Sequence, residues 1–359
     1  MTPSPTDLEK IITEHIEANG SMSLGAFTTL ALTHPDHGYY TCYDPLGAEG
    51  DFTTAPEISQ IFGELIGAWV VDTWMQMGKP AFNLIECGPG RGTLMADIMR
   101  VGKMIPEFLN CAHVQLIETQ GMLRKKQAKA LAQYDAAWHV YLSDIQTDKP
   151  CIILGNEFLD ALPIEQLRRD DKGWQKRVLS VDPSDKSLCF DWAAAEDDLR
   201  ALLPSKTESH QPYEVSPARI GFIDGCAKML DGAGGAALFI DYGYQKSHYG
   251  DTLQAMRHHS FSDVLADIGQ SDITSHVDFD ALTRAIEPQQ AQISPVTTQR
   301  MFLLHLGIEQ RAEALIQANP SRQEDIRKDV DRLIGRDQMG DLFKVMCFYK
   351  GNIKPCGFE

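Results

Sequence analysis

No stretch of the 359 residues runs to about 18 apolar positions without a charge, the length a helix needs to cross a bilayer, so membrane insertion is not expected. Paired cysteines are missing too. The eight thiols, at Cys42, Cys87, Cys111, Cys151, Cys189, Cys226, Cys347 and Cys356, stand singly, with no C-x-x-C and no interleaved histidines, and no metal site is expected. Several lie in apolar runs, as Cys87 does beside Leu84 and Ile85, where a thiol packs as a small hydrophobe, and unpaired thiols suit a reducing compartment. Positive charge is scarce: 33 Lys and Arg stand against 50 Asp and Glu, a formal charge of -17. That excess repels a phosphate backbone, so nucleic acid is not an expected partner. It would favour a cationic substrate, although an acidic solvated surface explains it as well. The opening residues lack both the basic-then-apolar order of a signal peptide and the Arg-rich pattern of a transit peptide, which leads to the expectation of a cytoplasmic protein.

What is present is ordinary in bulk, with 43% hydrophobic and 23% charged residues, enough for one large α/β core with added layers or for two domains. The order of periods is more informative. After Thr6, residues Leu8, Ile11, Ile12 and Ile16 recur at helical spacing, and Ile58, Ile61, Phe62, Leu65, Ile66, Trp69, Val70 and Trp74 do so within 57–77. Between these helices, 34–56 is rich in turn formers and reads as a long shaped loop. Short apolar runs at 82–87, 114–117, 138–142 and 151–154 then alternate with helical segments at 93–101 and 122–131, the rhythm of a parallel sheet covered on both faces. Three alternating segments at 166–170, 174–181 and 188–192, joined by turn residues, interrupt it as an antiparallel β meander. The rhythm returns at 217–230 and 236–240 and ends in a strand at 342–349. The expected division is a helical cover at 1–80, a core at 81–162 and 216–359, and an inserted meander at 163–215.

One turn carries most of the chemistry. Glu86-Cys87-Gly88-Pro89-Gly90-Arg91-Gly92 joins a strand to a helix, with glycines at alternate positions that let the backbone pass close to a ligand. A dinucleotide fingerprint would read G-x-G-x-x-G, and Glu86 just ahead of the glycines would repel a pyrophosphate. A cofactor with a sulfonium and an ammonium fits that sign, which points to S-adenosylmethionine. Glu118 closes the next strand, where an acid can accept both ribose hydroxyls; Asp144 and Ile145 follow the third, where they can take an adenine amino group and cover the ring. Each of these acids is also a plausible helix cap. Asn156, Glu157 and Asp160 end the fourth strand, at the sheet edge where open α/β folds bind substrate. A guanidinium acceptor needs carboxylates to hold it in line, and Glu157 and Asp160 are the local ones. His276, and the pair His258 and His259, are secondary candidates for moving a proton.

Taken with the block from Gly50 through Thr53-Thr54-Ala55-Pro56-Glu57-Ile58-Ser59 to Glu64, these segments resemble the MidA-like family, and the match extends over nearly the whole chain. The resemblance implies a class I (Rossmann-like) methyltransferase fold: α/β, with a seven-stranded, mostly parallel sheet, a helical N-terminal cover and the inserted antiparallel meander. Thr54 and Pro56 of that block, with Asn156, join the candidate cofactor-binding residues, and Glu157, Asp160 and His276 stand as the catalytic candidates. The resemblance further implies a protein substrate: the mitochondrial member methylates an arginine on a respiratory complex I subunit. Against that member, the missing transit pattern favours a bacterial cytoplasmic protein over the mitochondrial matrix. Small-molecule O- or N-methylation and a non-catalytic assembly factor remain alternatives, and a homodimer is left open.

Overall fold

The computed structural model describes residues 6–43, 53–171, 173–203, 211–257 and 260–358. The chain forms two compact units. One gathers 1–52, 160–221 and 247–276; the other gathers 53–159, 222–246 and 277–359.

The second unit is built on the strands β1 (Phe82–Cys87), β2 (Ala112–Ile117), β3 (Ala136–His139), β4 (Cys151–Asn156), β5 (Gly235–Tyr244), β6 (Gln292–Ile293) and β7 (Phe343–Lys350). They lie in the order 3-2-1-4-5-7-6. Strands β1 to β5 run parallel to their neighbours, while β7 lies antiparallel between β5 and β6. Two-residue strands at Val277–Asp278 and Thr297–Thr298 add to β5 and β7. The large, mostly parallel sheet expected of the class I fold is thus observed, the two short strands bringing the expected seven to nine. Every residue of β1 is buried, Asn83 and Glu86 included, as in a parallel sheet covered on both faces, and this is why its apolar residues do not simply alternate with polar ones. The chain goes outward from β1 to β2 and β3, then returns to β4 on the other side. The reversal makes the carboxyl ends of β1 and β4 the switch point of the sheet, the place where such sheets bind ligands.

The helical run expected at 57–77 is two helices. Ser59 adopts extended backbone (φ -151°) between Ala55–Ile58 and Gln60–Gln76, and its hydroxyl accepts from the Ile61 N–H at the new helix start. The longer helix buries Ile61, Phe62, Leu65, Ile66, Trp69, Val70 and Trp74. Trp74 packs edge-on to Phe108 and satisfies its indole N–H on Pro80 O at 2.9 Å.

The first unit opens with the helices Asp7–Asn19 and Leu24–Thr33, the former started by a reciprocal cap between Thr6 and Glu9. The meander strands Glu165–Asp170, Gly173–Val181 and Leu188–Ala194 are present, joined by two short strands that the sequence does not announce. Met22–Ser23 pairs with the middle strand, and Tyr213–Val215 with the first, to give a five-stranded sheet. A three-stranded sheet of Gln254–Arg257, Ser260–Ser262 and Asp272–Thr274 was likewise not expected. Strands this short have no periodicity of their own; distant partners make them.

Candidate cofactor and transfer site

The turn after β1 requires its glycines. Gly88, Gly90 and Gly92 have φ of 64°, 53° and 83°, a region L side chains rarely occupy. A Cβ on Gly88 would also sit 2.9 Å from Cδ2 of Phe158. Gly92 starts the helix Thr93–Gly102. Glu86, just before the turn, is 3% exposed, and its Oε2 has no hydrogen-bond partner. Burial pushes its carboxyl up to about 8, against the pull of the Met95 backbone N–H, and Asp97 adds to the rise. On the adjacent β4, Asn156 has a buried Oδ1 that also lacks a partner. The register Cys87↔Gly155 sets these residues at neighbouring strand ends. Two buried acceptors left unsatisfied at the switch point are costly unless a ligand donates to them. A protonated amine meets that need, so the site fits the ammonium end of the cofactor inferred from sequence.

Glu118, after β2, is 7% exposed. Its Oε1 accepts from the Gln120 N–H at 2.9 Å and its Oε2 from Nε2 of Gln127 at 3.1 Å. Burial raises its pKa, and these donors oppose the rise. Asp144 is exposed and closes the short turn Leu142–Asp144, its Oδ2 accepting from the N–H groups of Val140 and Tyr141; Ile145 beside it is buried.

Beyond β4 the chain turns sharply. Glu157 has φ 52°, unusual for a residue with a side chain, and its N–H donates to Ile240 O at 2.9 Å. Its Oε1 accepts from the Ala55 N–H at 3.0 Å and from Nδ2 of Asn156 at 3.1 Å. Thr54 begins the helix Ala55–Ile58, in which Pro56 is buried and Glu57 accepts from the Thr93 hydroxyl. This segment therefore holds both the glycine-turn helix and Glu157. Residues Gly50, Asp51 and Phe52, just ahead of it in the expected cover, lie outside the described residues, as do His258 and His259.

Sequence reasoning missed Asp241. This wholly buried acid, within β5 just past its pairing with β4, accepts through Oδ2 from the N–H groups of Phe158 (3.1 Å) and Leu159 (2.9 Å), and through Oδ1 from Tyr242 N–H (3.0 Å). The available signal was an acid directly after the apolar run 236–240.

Glu157 belongs to the unit with the large sheet, whereas Asp160 and His276 belong to the other. There Arg219, 3% exposed, draws their segments together: Nη2 donates to Asp160 O (2.9 Å) and to Ser275 Oγ (2.7 Å), and Nη1 to His276 O (2.8 Å). The Ser275 N–H also donates to Asp160 O, at 3.3 Å. In the same unit the Tyr40 hydroxyl donates to Asp272 Oδ1 at 2.9 Å; burial, then the charges of Asp272 and Asp160, hold that phenol well above its ordinary pKa.

Residues 65–296 match a family described as "Putative S-adenosyl-L-methionine-dependent methyltransferase". The chain is 36% identical over 356 residues to the mouse (Mus musculus) mitochondrial protein arginine methyltransferase NDUFAF7, covering 91% of this chain and 81% of that protein. It is 34% identical over 384 residues to the Drosophila melanogaster homolog, covering 96% and 85%. A crystal structure of a Burkholderia thailandensis methyltransferase-like protein bound to S-adenosyl-homocysteine aligns with a TM-score of 0.85 at 25% identity, over 99% of this chain and 97% of that one. The cytoplasmic placement expected from sequence does not stand, because the named relatives are mitochondrial proteins.

Proposed function

Because the chain belongs to the MidA-like family of S-adenosyl-L-methionine-dependent methyltransferases, we propose that it methylates a guanidino nitrogen of an arginine in a protein substrate, a subunit of respiratory complex I. The observation that carries the methyl-donor half of this reading is the pair of buried, unpartnered acceptors, Glu86 Oε2 and Asn156 Oδ1, beside the glycine turn. The acceptor half is supported by the named relatives and by Glu157, a carboxylate fixed at the sheet edge.

When bound, S-adenosylmethionine supplies a methyl group on a sulfonium, open to in-line displacement by a nitrogen. The chain's residues do the rest. Glu86 and Asn156 accept from the ammonium, Glu118 takes the ribose hydroxyls, and Asp144 with Ile145 borders the adenine. Gly88, Gly90 and Gly92 let the backbone close on the cofactor, with Thr54 and Pro56 excluding water. An arginine side chain is protonated at neutral pH, and its attacking nitrogen is poorly nucleophilic until the charge is drawn to the other end. Glu157 supplies that pull and holds the nitrogen in line.

Glu157→Gln keeps the shape and removes the charge. It should leave S-adenosylhomocysteine affinity within about twofold and lower transfer at least 100-fold. Full transfer by this variant would remove Glu157 from the scheme. Mass spectrometry of complex I subunits from cells with and without the protein tests the acceptor; if label from the cofactor enters small molecules alone, the arginine assignment fails.

A further inference from the structure

The three groups bonded to Gln127 permit one arrangement only. Gln127 is wholly buried on the helix Gly121–Ala130, between the exposed Lys125 and Lys129, while Arg124 on the same helix donates to Glu118 O and His139 O. The Trp138 indole N–H can only donate, and it donates to Gln127 Oε1 at 2.8 Å. The amide oxygen is thereby fixed toward Trp138, so the NH2 must face the other way. On that side it meets two acceptors, Gly90 O at 2.8 Å and Glu118 Oε2 at 3.1 Å. Every hydrogen-bonding position except one oxygen lone pair is then used, and a single side chain ties the glycine turn, the acid after β2 and the strand β3. The fit is close, since a Cβ on Gly92 would lie 3.3 Å from Gln127 Cα.

We propose that Gln127 is a positioning residue for cofactor recognition: it aims the Glu118 carboxylate at the ribose and locks the glycine turn to it, so that the sugar and the amino-acid end of the cofactor are read as one unit. The inference rests on the cofactor reading above. Glu118 is buried, and burial disfavours its charged form; the amide donor on Oε2 holds one oxygen in place and helps to keep the group ionised. With an apolar side chain at 127, the carboxylate would lose that donor and Gly90 O its partner. The carboxylate would then rotate or take up a proton, and its strength as an acceptor for ribose hydroxyls would fall.

The test is calorimetry on the whole chain, with S-adenosylhomocysteine and its 2′-deoxyribose analogue as probes, at pH 7.5. Wild type should prefer the ribose form about tenfold or more, as for a hydrogen bond to a charged acceptor. In Gln127→Leu, S-adenosylhomocysteine should bind 10- to 100-fold more weakly, with the ribose preference reduced to within about twofold. Glu118→Gln should show the same reduced preference, and the double variant should be no worse than the weaker single, because both act on one contact. Trp138→Phe, which keeps an aromatic side chain but removes the indole N–H that orients the amide, should lower the preference part way, and it supplies the reading if the leucine variant does not fold. A folded Gln127→Leu or Trp138→Phe with the full wild-type preference overturns the positioning role, as does strict additivity in the double variant. A wild-type chain that binds neither probe at millimolar concentration overturns the cofactor reading instead.

Discussion

Glu86 concentrates, in one side chain, a conflict between folding and binding. Its carboxyl is raised to about 8 from an ordinary 4.5, so the ligand-free fold is at its most favourable below about pH 4.5 and loses that contribution as pH climbs toward 8. Glu86→Gln removes the titration and should stabilise the ligand-free protein at pH 8 by on the order of 2 kcal/mol, read as a higher melting temperature that is absent at pH 5. Binding has the opposite sign. An ammonium beside Glu86 favours the carboxylate, so at pH 7 cofactor binding should release a proton. S-adenosylhomocysteine affinity should rise up to about tenfold per pH unit between about pH 6 and 7.5, where the ligand amine is still protonated. Glu86→Gln should bind weakly and with a flat profile. A wild-type affinity that does not change over that range would exclude Glu86 as the partner of the amine.

At the scale of elements, the fold was readable where one strand or helix carries its own signal. Strands β1, β4 and β5 are almost wholly buried, so their sequences are mainly apolar without a two-residue alternation, and a parallel sheet followed from their alternation with helices. The small sheets of the first unit were not readable: Met22–Ser23 and Tyr213–Val215 become strands only because Leu179 and Gln166 stand opposite them. The break at Ser59 was hidden for a similar reason, since the apolar spacing continues across it while a hydroxyl cap restarts the helix. The turn between β4 and the next segment depends on Asp241 in the neighbouring strand, a relation that linear spacing cannot display. Asp241→Ala would leave three backbone N–H groups without their acceptor. It should lower stability by about 2–4 kcal/mol and disorder the Glu157 turn, with methyl transfer lost in the fraction that stays folded. Asp241→Asn keeps one acceptor oxygen and should cost about half as much. Equal melting temperatures for wild type and Asp241→Ala would contradict this account of the turn.

For the whole molecule, the sequence was a better guide to the cofactor than to the acceptor. Glu86, Gly88, Gly90, Gly92, Glu118, Asn156 and Glu157 all belong to one unit and sit at the ends of consecutive or adjacent strands, an arrangement that strand order alone predicts. Asp160 and His276 come from distant parts of the chain, brought together by Arg219, which no local pattern marks. The net charge offers a separate handle on the acceptor. A chain at -17 surrounds itself with a negative potential that raises the local concentration of a basic protein segment and has much less effect on a small cofactor held by buried groups. Screening shortens the reach of this field, to a Debye length of about 8 Å at physiological salt and about 3 Å at 1 M. If the acceptor is an arginine in a basic segment, raising salt from about 0.05 to 0.5 M should increase KM for the acceptor peptide several-fold, leaving kcat and the S-adenosylhomocysteine Kd within about twofold. Encounter, not chemistry, is the step the field assists. A KM insensitive to salt would mean that the acidic surface serves solubility alone and that the substrate segment carries no net positive charge.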